Sequence, residues 1–283
     1  MLITKAIIPV AGLGTRFLPL TKAFPKELLP LVDKPLIQYS IEELKASGVT
    51  EIIFVVNTNK KYIEEYFKKT PSLEKLLSER KQDDIIKTLK HLDELMRGIS
   101  FTYVNDKPLG DGHAVLQARK LAGDDPCFVV YPDDVIISKI PCVQQLANVF
   151  KTSEKPVLGL FRLPDEKLSS YGVVAQEPIA RRLGKISEIV EKPEPGSAPS
   201  NLAIVGRRII TAEVFDYLKK TKPNQKGEVN LTEVFSKMVN EGKVVYGYEV
   251  DGEWLECGDK TSWLRSTLYL LQRDPRFSGE GVG

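Results

Sequence analysis

The sequence predicts an α/β fold on a mostly parallel sheet, and three observations carry that prediction. Up to about residue 165, short apolar runs alternate with stretches whose apolar residues recur at helical spacing. The strand–helix–strand–helix order implies a mostly parallel sheet with helices on both faces. A chain of 283 residues with 42% hydrophobic side chains can also bury roughly three quarters of its unfolded surface, ample for one large core.

The elements follow in order. Lys5 to Pro9 is a short apolar strand ending in a glycine-rich turn. Leu36 to Ala46 reads as a helix, Glu51 to Val56 (EIIFVV) as a buried strand, and Tyr62, Ile63, Tyr66 and Phe67 mark a second helix. Residues 71 to 98 are highly charged and predict a solvated helical pair inserted into the rhythm. Ser100 to Val104 is a strand, His113 to Leu121 a helix, Cys127 to Tyr131 a strand, Val143 to Phe150 a helix and Val157 to Phe161 a strand. Beyond that the pattern turns β-rich, with Tyr171 to Ala175, Lys185 to Val190 and Leu202 to Ile210. Helices over Ala212 to Leu218 and Leu231 to Val239, a strand over Val244 to Val250 and a closing helix over Thr261 to Gln272 complete the chain, with a loose tail from Pro275.

Composition excludes several classes. Forty Lys and Arg against 38 Asp and Glu leave a formal charge of +2, without the basic excess of a nucleic-acid binder. No apolar run reaches the roughly 18 residues of a membrane span, and the N-terminus lacks the pattern of a signal peptide. The three cysteines, at 127, 142 and 257, follow no metal or disulfide spacing, so small buried hydrophobes in a cytoplasmic, reduced protein are expected.

The chemistry begins at Val10-Ala11-Gly12-Leu13-Gly14-Thr15-Arg16, directly after the first strand. Glycines let a backbone approach a ligand closely and form a nest of N–H groups for phosphate. A dinucleotide fingerprint is disfavoured, because Phe17 stands where its third glycine belongs and Pro19, Pro25, Pro30 and Pro35 prevent a helix. A Walker A sequence is absent. A triphosphate loop with Arg16 as its cation and a plain tight turn both remain. The loop runs on through Lys22 and Lys26 to Asp33-Lys34-Pro35; it is too apolar for disorder, and cations beside a glycine-rich turn suggest a polyphosphate site.

GLGTRFLPLTKAFPKELLPLVDKPLIQY resembles the signature of the sugar-nucleotide pyrophosphorylases, and more closely that of the bacterial UTP–glucose-1-phosphate uridylyltransferases. PLGDGHAV (108–115), YPDD (131–134), YGVV (171–174), VEKP (190–193), SNLAIVGRR (200–208), GEVNLTE (227–233) and CGDK (257–260) extend the resemblance over nearly the whole chain. It implies a single Rossmann-like nucleotidyltransferase domain over residues 1–283, with a nucleotide-binding half (1–165), a smaller β-rich sugar-phosphate half (166–272) and a tail (273–283). The site would lie across the C-terminal strand ends, as general experience of open α/β sheets also indicates.

The implied reaction joins UTP and glucose 1-phosphate into UDP-glucose and pyrophosphate. By resemblance Arg16 holds the triphosphate, Lys26 acts at the reacting phosphates and Lys192 grips the sugar phosphate. Asp133 and Asp259 converge on Mg²⁺, although a turn residue and a helix cap are their ordinary readings. Ala11, Gly12 and Glu27 line the nucleoside, Gly14 and Thr15 bind the nucleotide with them, and Gly110 meets the base through its backbone. Asn105 stands where the family usually has Gln, which weakens the expected base contact. Gly172 and Glu191 read sugar hydroxyls, as Asp134 does in a lesser role, while His113 at a helix start is structural. The family also implies a homodimer or homotetramer, with Trp263, Leu264, Leu268 and Leu271 as one face for it or as core. A dTTP-using thymidylyltransferase and a non-catalytic nucleotide-sugar sensor are the competing functions.

Overall fold

The computed structural model describes residues 2–57 and 61–276. The expected tail beyond residue 276 lies outside them. Among the described residues a nine-stranded sheet forms the centre. Its order is Ser100–Asn105, Glu51–Val56, Lys5–Pro9, Cys127–Val130, Leu202–Ile210, Val157–Arg162, Tyr246–Glu249, Leu183–Glu191 and Gly172–Ala180.

The expectation of a mostly parallel sheet is corrected here. Four of the pairings within this sheet are parallel, and three of those join the first four strands in that order. The five others are antiparallel and all involve strands from the second half of the chain. The sheet is therefore mixed. Apolar runs report burial on two faces but not strand direction, which the connections set.

Strand residues alternate between two cores. Ile7, Ile53, Val55, Cys127 and Val129 face one, which the helices Asp111–Gln117, Ala212–Lys220 and Leu231–Asn240 cover. Ala6, Ile8, Phe54, Phe128 and Val130 face the other, under Leu36–Ala46, Lys61–Phe67 and Cys142–Ser153. All three cysteines are free and buried, as expected. The charged insertion is a pair of helices, Pro71–Glu79 and Asp83–Met96, with mostly exposed side chains. The helix expected over His113 to Leu121 starts earlier and is divided into Asp111–Gln117 and Arg119–Ala122.

A third core explains the apolar glycine-rich loop. Phe17, Leu29 and Leu31 pack with Val135, Leu255 and Cys257 against the final helix, Lys260–Leu271. Phe17 meets Trp263 edge to face at 6.4 Å, Trp263 Nε1 donates to the Pro30 carbonyl at 2.8 Å, and Lys260 Nζ donates to the Leu18 carbonyl at 2.7 Å. Trp263 is thus core, while Leu264 and Leu268 stay 52% and 53% exposed. Val135 and Leu255 belong to a two-stranded pair, Asp134–Ile137 with Glu253–Glu256, that the sequence reading missed.

The turn after Cys127–Val130 is fixed by a buried ion pair. Arg207, 1% exposed, donates to Glu43 Oε2 from Nε (2.9 Å) and Nη2 (2.7 Å), and from Nη1 to the Tyr131 carbonyl at 3.0 Å. Glu43→Ala would strand that guanidinium. Removing one partner of a buried pair costs about 3–5 kcal/mol, so a marked fall in the urea midpoint is expected. An unchanged midpoint would contradict this anchoring role.

Candidate active site

A cavity of 390 Å³ opens where Lys5–Pro9 and Cys127–Val130 end. Seven expected residues line it: Ala11, Gly12, Thr15, Lys26, Glu27, Gly110 and Asp133. The Ala11 carbonyl accepts from Asn57 Nδ2 at 2.7 Å, fixing the start of the loop. Gly14 holds a left-handed φ of +65°, which L side chains rarely adopt, and its carbonyl accepts the Thr21 hydroxyl at 2.9 Å. A smaller adjoining depression of 300 Å³ shares Gly12, Leu13 and Lys26 and adds Lys22.

Lys26 and Asp133 meet on the cavity wall at 2.5 Å, each side chain 22% exposed. Burial alone would lower the Lys26 ammonium, but Asp133 and then Glu27 outweigh it and hold its pKa above the ordinary value. Burial would likewise raise the Asp133 carboxyl; Lys26 and, more weakly, Arg16 outweigh it and hold the pKa below the usual carboxylate range. Both groups are therefore charged at neutral pH. Arg16 Nη1 reaches toward the Gly258 carbonyl at 3.5 Å, and a side chain on Gly258 would lie 3.3 Å from that nitrogen and 3.5 Å from Asp133 Oδ2.

The backbone of the 257–259 turn is tied to this cluster, because Cys257 N donates to the Asp133 carbonyl at 2.7 Å. Asp259 caps the final helix, Oδ1 accepting from Thr261 N (2.8 Å) and Ser262 N (3.0 Å), and Oδ2 accepting from the Ser262 hydroxyl (2.8 Å). Those hydrogen bonds outweigh partial burial and keep its pKa low. Among the described residues no group of three His, Cys, Asp or Glu side chains is placed to hold a metal. Two ionised carboxylates on joined turns are nevertheless hard oxygen donors of the kind magnesium takes alongside substrate phosphates.

Other expected residues lie elsewhere. Asn105 is exposed at a strand end and does not line the cavity. Asp134 turns away: Trp254 Nε1 donates to its Oδ1 at 2.8 Å, and Oδ2 lies under Gly206, where a Cβ would stand 2.6 Å away. Burial, then the Asp133 charge, raises its pKa to about 7. A carboxyl whose folded pKa exceeds the ordinary 3.8 binds its proton more tightly when folded, so its contribution makes stability fall as pH rises from about 4 through about 7. Asp134→Asn removes that slope; its melting temperature should gain more over wild type at pH 8 than at pH 5. An equal difference at both would contradict this.

Gly172 and Glu191 adjoin, as expected. A Cβ on Gly172 would lie 3.1 Å from Glu191 Oε2 and 2.7 Å from Thr232 Cγ2, so a side chain there needs Thr232 to move. Asn230 Nδ2 donates to Glu191 Oε1 at 3.3 Å. Lys192 Nζ stands 3.6 Å from the same oxygen with its side chain 52% exposed, and it is not among the residues lining the Lys26–Asp133 cavity. His113 Nδ1 lies 2.9 Å from Asp106 Oδ2, consistent with a structural role. The cavity wall also contains Leu13, Asp111, Tyr131 and Glu228, which sequence reasoning missed. Asp111 opens a helix directly after Gly110, the one local sign that could have marked it.

A family model described as nucleotidyl transferase matches residues 5–273. The UTP–glucose-1-phosphate uridylyltransferase of Staphylococcus haemolyticus is 39% identical over 279 residues, 98% of this chain and 96% of that protein. The one from Bacillus subtilis is 39% identical over 273 residues, 96% of this chain and 92% of that protein. A crystal structure of UDP-glucose pyrophosphorylase complexed with UDP-glucose superposes with a TM-score of 0.86 at 32% identity, covering 96% of this chain and all of the other. UTP-bound UGPase from Acinetobacter baumannii gives 0.87 at 33% identity, with 98% and 96% covered. A glucose-1-phosphate thymidylyltransferase structure from Bacillus anthracis, itself described as putative, matches less well, at 0.69 and 25% identity over 94% of each chain. By a family match over almost its full length and by relatives of this identity, the chain belongs to the nucleotidyl transferase family, among its UTP–glucose-1-phosphate uridylyltransferases.

Proposed function

We propose that this chain transfers the uridylyl group of UTP to glucose 1-phosphate at the Lys26–Asp133 cavity, releasing pyrophosphate and leaving UDP-glucose. The observation that carries the placement is the charged pair itself, held on the wall of a cavity at the strand ends beside Arg16 and the glycine-rich turn. Both substrates are anionic and repel each other. An oxygen of the sugar phosphate attacks the α-phosphorus and pyrophosphate departs, with no covalent enzyme intermediate. The attacking phosphate is already ionised, so no general base is needed, and catalysis reduces to charge neutralisation and alignment.

Ala11, Gly12, Gly14 and Thr15 present backbone to the nucleotide, with Glu27 and Gly110 on its nucleoside side. Lys26 and Arg16 supply positive charge toward the phosphates, and Lys192, beside Glu191, receives the phosphate of the sugar. Gly172 lets Glu191 and Thr232 pack close to its backbone, which sets Glu191 in place for its oxygens to accept from sugar hydroxyls. Asn105 and Asp134, which the geometry points away from the cavity, are given no substrate contact. Asp133 and Asp259 would hold Mg²⁺; Asp259 Oδ1 accepts two N–H groups, while Oδ2 accepts one hydroxyl and keeps a lone pair for the ion. The ion supplies electrostatic shielding of the triphosphate. The first half of the chain carries nearly all of the nucleotide cavity, Glu228 being the exception, which supports a nucleotide half and a sugar half within one Rossmann-like domain.

The exposed Leu264 and Leu268 support a homodimer or homotetramer, and the three buried thiols suit a reducing cytoplasm. No helix of the described residues is long and apolar enough to cross a membrane. Pyrophosphate release from UTP and glucose 1-phosphate, with and without magnesium, tests the function. Turnover with UTP exceeding that with dTTP is the expected result. Preference for dTTP would establish the thymidylyltransferase alternative, and binding of UDP-glucose without turnover would indicate a sensor.

A further inference from the structure

We propose that Arg208 is a positioning residue that keeps the sugar side of the site in register with the nucleotide cavity, acting through Tyr131 and Thr232. The inference rests on the reading of the Gly172–Glu191 side as sugar-binding.

Arg208 sits in a strand, Leu202–Ile210, every residue of which is buried, and is itself 7% exposed. Its Nη1 donates to the Tyr131 hydroxyl at 2.7 Å, and that hydroxyl donates to Asp111 Oδ2 at 2.6 Å. Tyr131 and Asp111 both belong to the nucleotide cavity wall. The other nitrogen, Nη2, donates to the Thr232 hydroxyl at 3.2 Å. Thr232 is the residue against which Gly172 packs, and its backbone N–H donates at 2.7 Å to Asn230, the partner of Glu191. Asp111 closes the loop by accepting from Leu231 N at 3.0 Å through Oδ1. One guanidinium therefore touches a residue of each side, and no substrate contact is required of it.

The choice of residue is costly for the fold alone. Arg208 Nε is buried with no hydrogen-bond partner, and its charge is taken from water. Its Nη1 also stands 3.5 Å from Asp111 Oδ2, whose side chain is 29% exposed, so water as well as the guanidinium meets that carboxylate. Asp111 would keep its three other donors: the Gly112 and Leu231 N–H groups and the Tyr131 hydroxyl. A buried cation bonded to both sides of a two-substrate site points to alignment.

The test is steady-state kinetics with melting temperatures on the full-length wild type and on Arg208→Met, Thr232→Val and Thr232→Ser. Arg208→Met loses the Asp111 ion pair and should melt below wild type, yet stay folded at the assay temperature. Its kcat/KM for glucose 1-phosphate should fall about tenfold, the ratio expected for a lost hydrogen bond to a charged group, while KM for UTP stays within twofold. Thr232→Val should reproduce that loss and Thr232→Ser should restore activity. The double variant Arg208→Met/Thr232→Val should be no slower than either single variant, because both break one connection. Full activity in both single variants, a loss in Arg208→Met that Thr232→Val does not share, or an equal rise in KM for UTP would each overturn the inference. Wild type that releases no pyrophosphate would instead defeat the functional reading, and active wild type with unaffected variants would defeat only this one.

Discussion

Lys26→Ala is expected to lower kcat/KM for UDP-glucose formation by about 10²–10³-fold, or ~2.7–4 kcal/mol of barrier, the range for deleting one preorganised donor at a developing charge. The loss should fall mainly on kcat, since the ammonium acts where the two phosphates are forced together. Lys26→Arg should recover part of it: the charge remains, but a planar fork replaces a point charge in a site that already packs the lysine against Asp133 and Glu27. Pyrophosphate release measured at saturating and limiting substrate separates these effects. The fold should survive, because the loop carrying Lys26 is secured by Phe17, Leu29 and Leu31 rather than by the ion pair.

Asp133→Asn is the second large effect, a loss of about 10²-fold or more on the same grounds, and it differs in kind. The amide keeps the volume and can still accept from Lys26, while the Cys257 N–H bonds to the backbone carbonyl of this residue and is untouched. What disappears is the negative charge that pairs with Lys26 and that the proposed magnesium site requires. Higher magnesium should therefore recover activity only weakly, and the apparent magnesium requirement should rise. Asp133→Asn with wild-type turnover and an unchanged magnesium dependence would contradict the assignment.

Much of this arrangement was legible in the residues. The long apolar loop predicted its own burial, and the third core around Phe17 and Trp263 accounts for it. Lys26 was marked by its place in an extended motif, and Leu36–Ala46 and Leu202–Ile210 have the boundaries that their patterns suggested. Strand direction was not legible. Leu202–Ile210 reads as an apolar run whether it pairs parallel or antiparallel with Cys127–Val130, and it pairs antiparallel. The pair Asp134–Ile137 with Glu253–Glu256 escaped notice because each strand has four residues and its partner lies over a hundred residues away.

The site was legible where chemistry and local sequence coincide, as at Asp133 after its strand. It failed where orientation decides. Asp134 neighbours Asp133, yet its carboxylate is taken by Trp254, a contact across 120 positions. Asp111, Tyr131 and Arg208 share one hydrogen-bonded cluster but come from a helix start, a strand end and a strand centre, so no spacing announces it.

A crystal structure of the chain with UTP and magnesium tests the central claim, that two repelling anions are brought together by the charges around Lys26. The triphosphate should lie in the 390 Å³ cavity with Lys26 Nζ and Arg16 at its oxygens and Asp133 facing the ion. A triphosphate bound outside that cavity, with Lys26 still bonded to Asp133 alone, would contradict it.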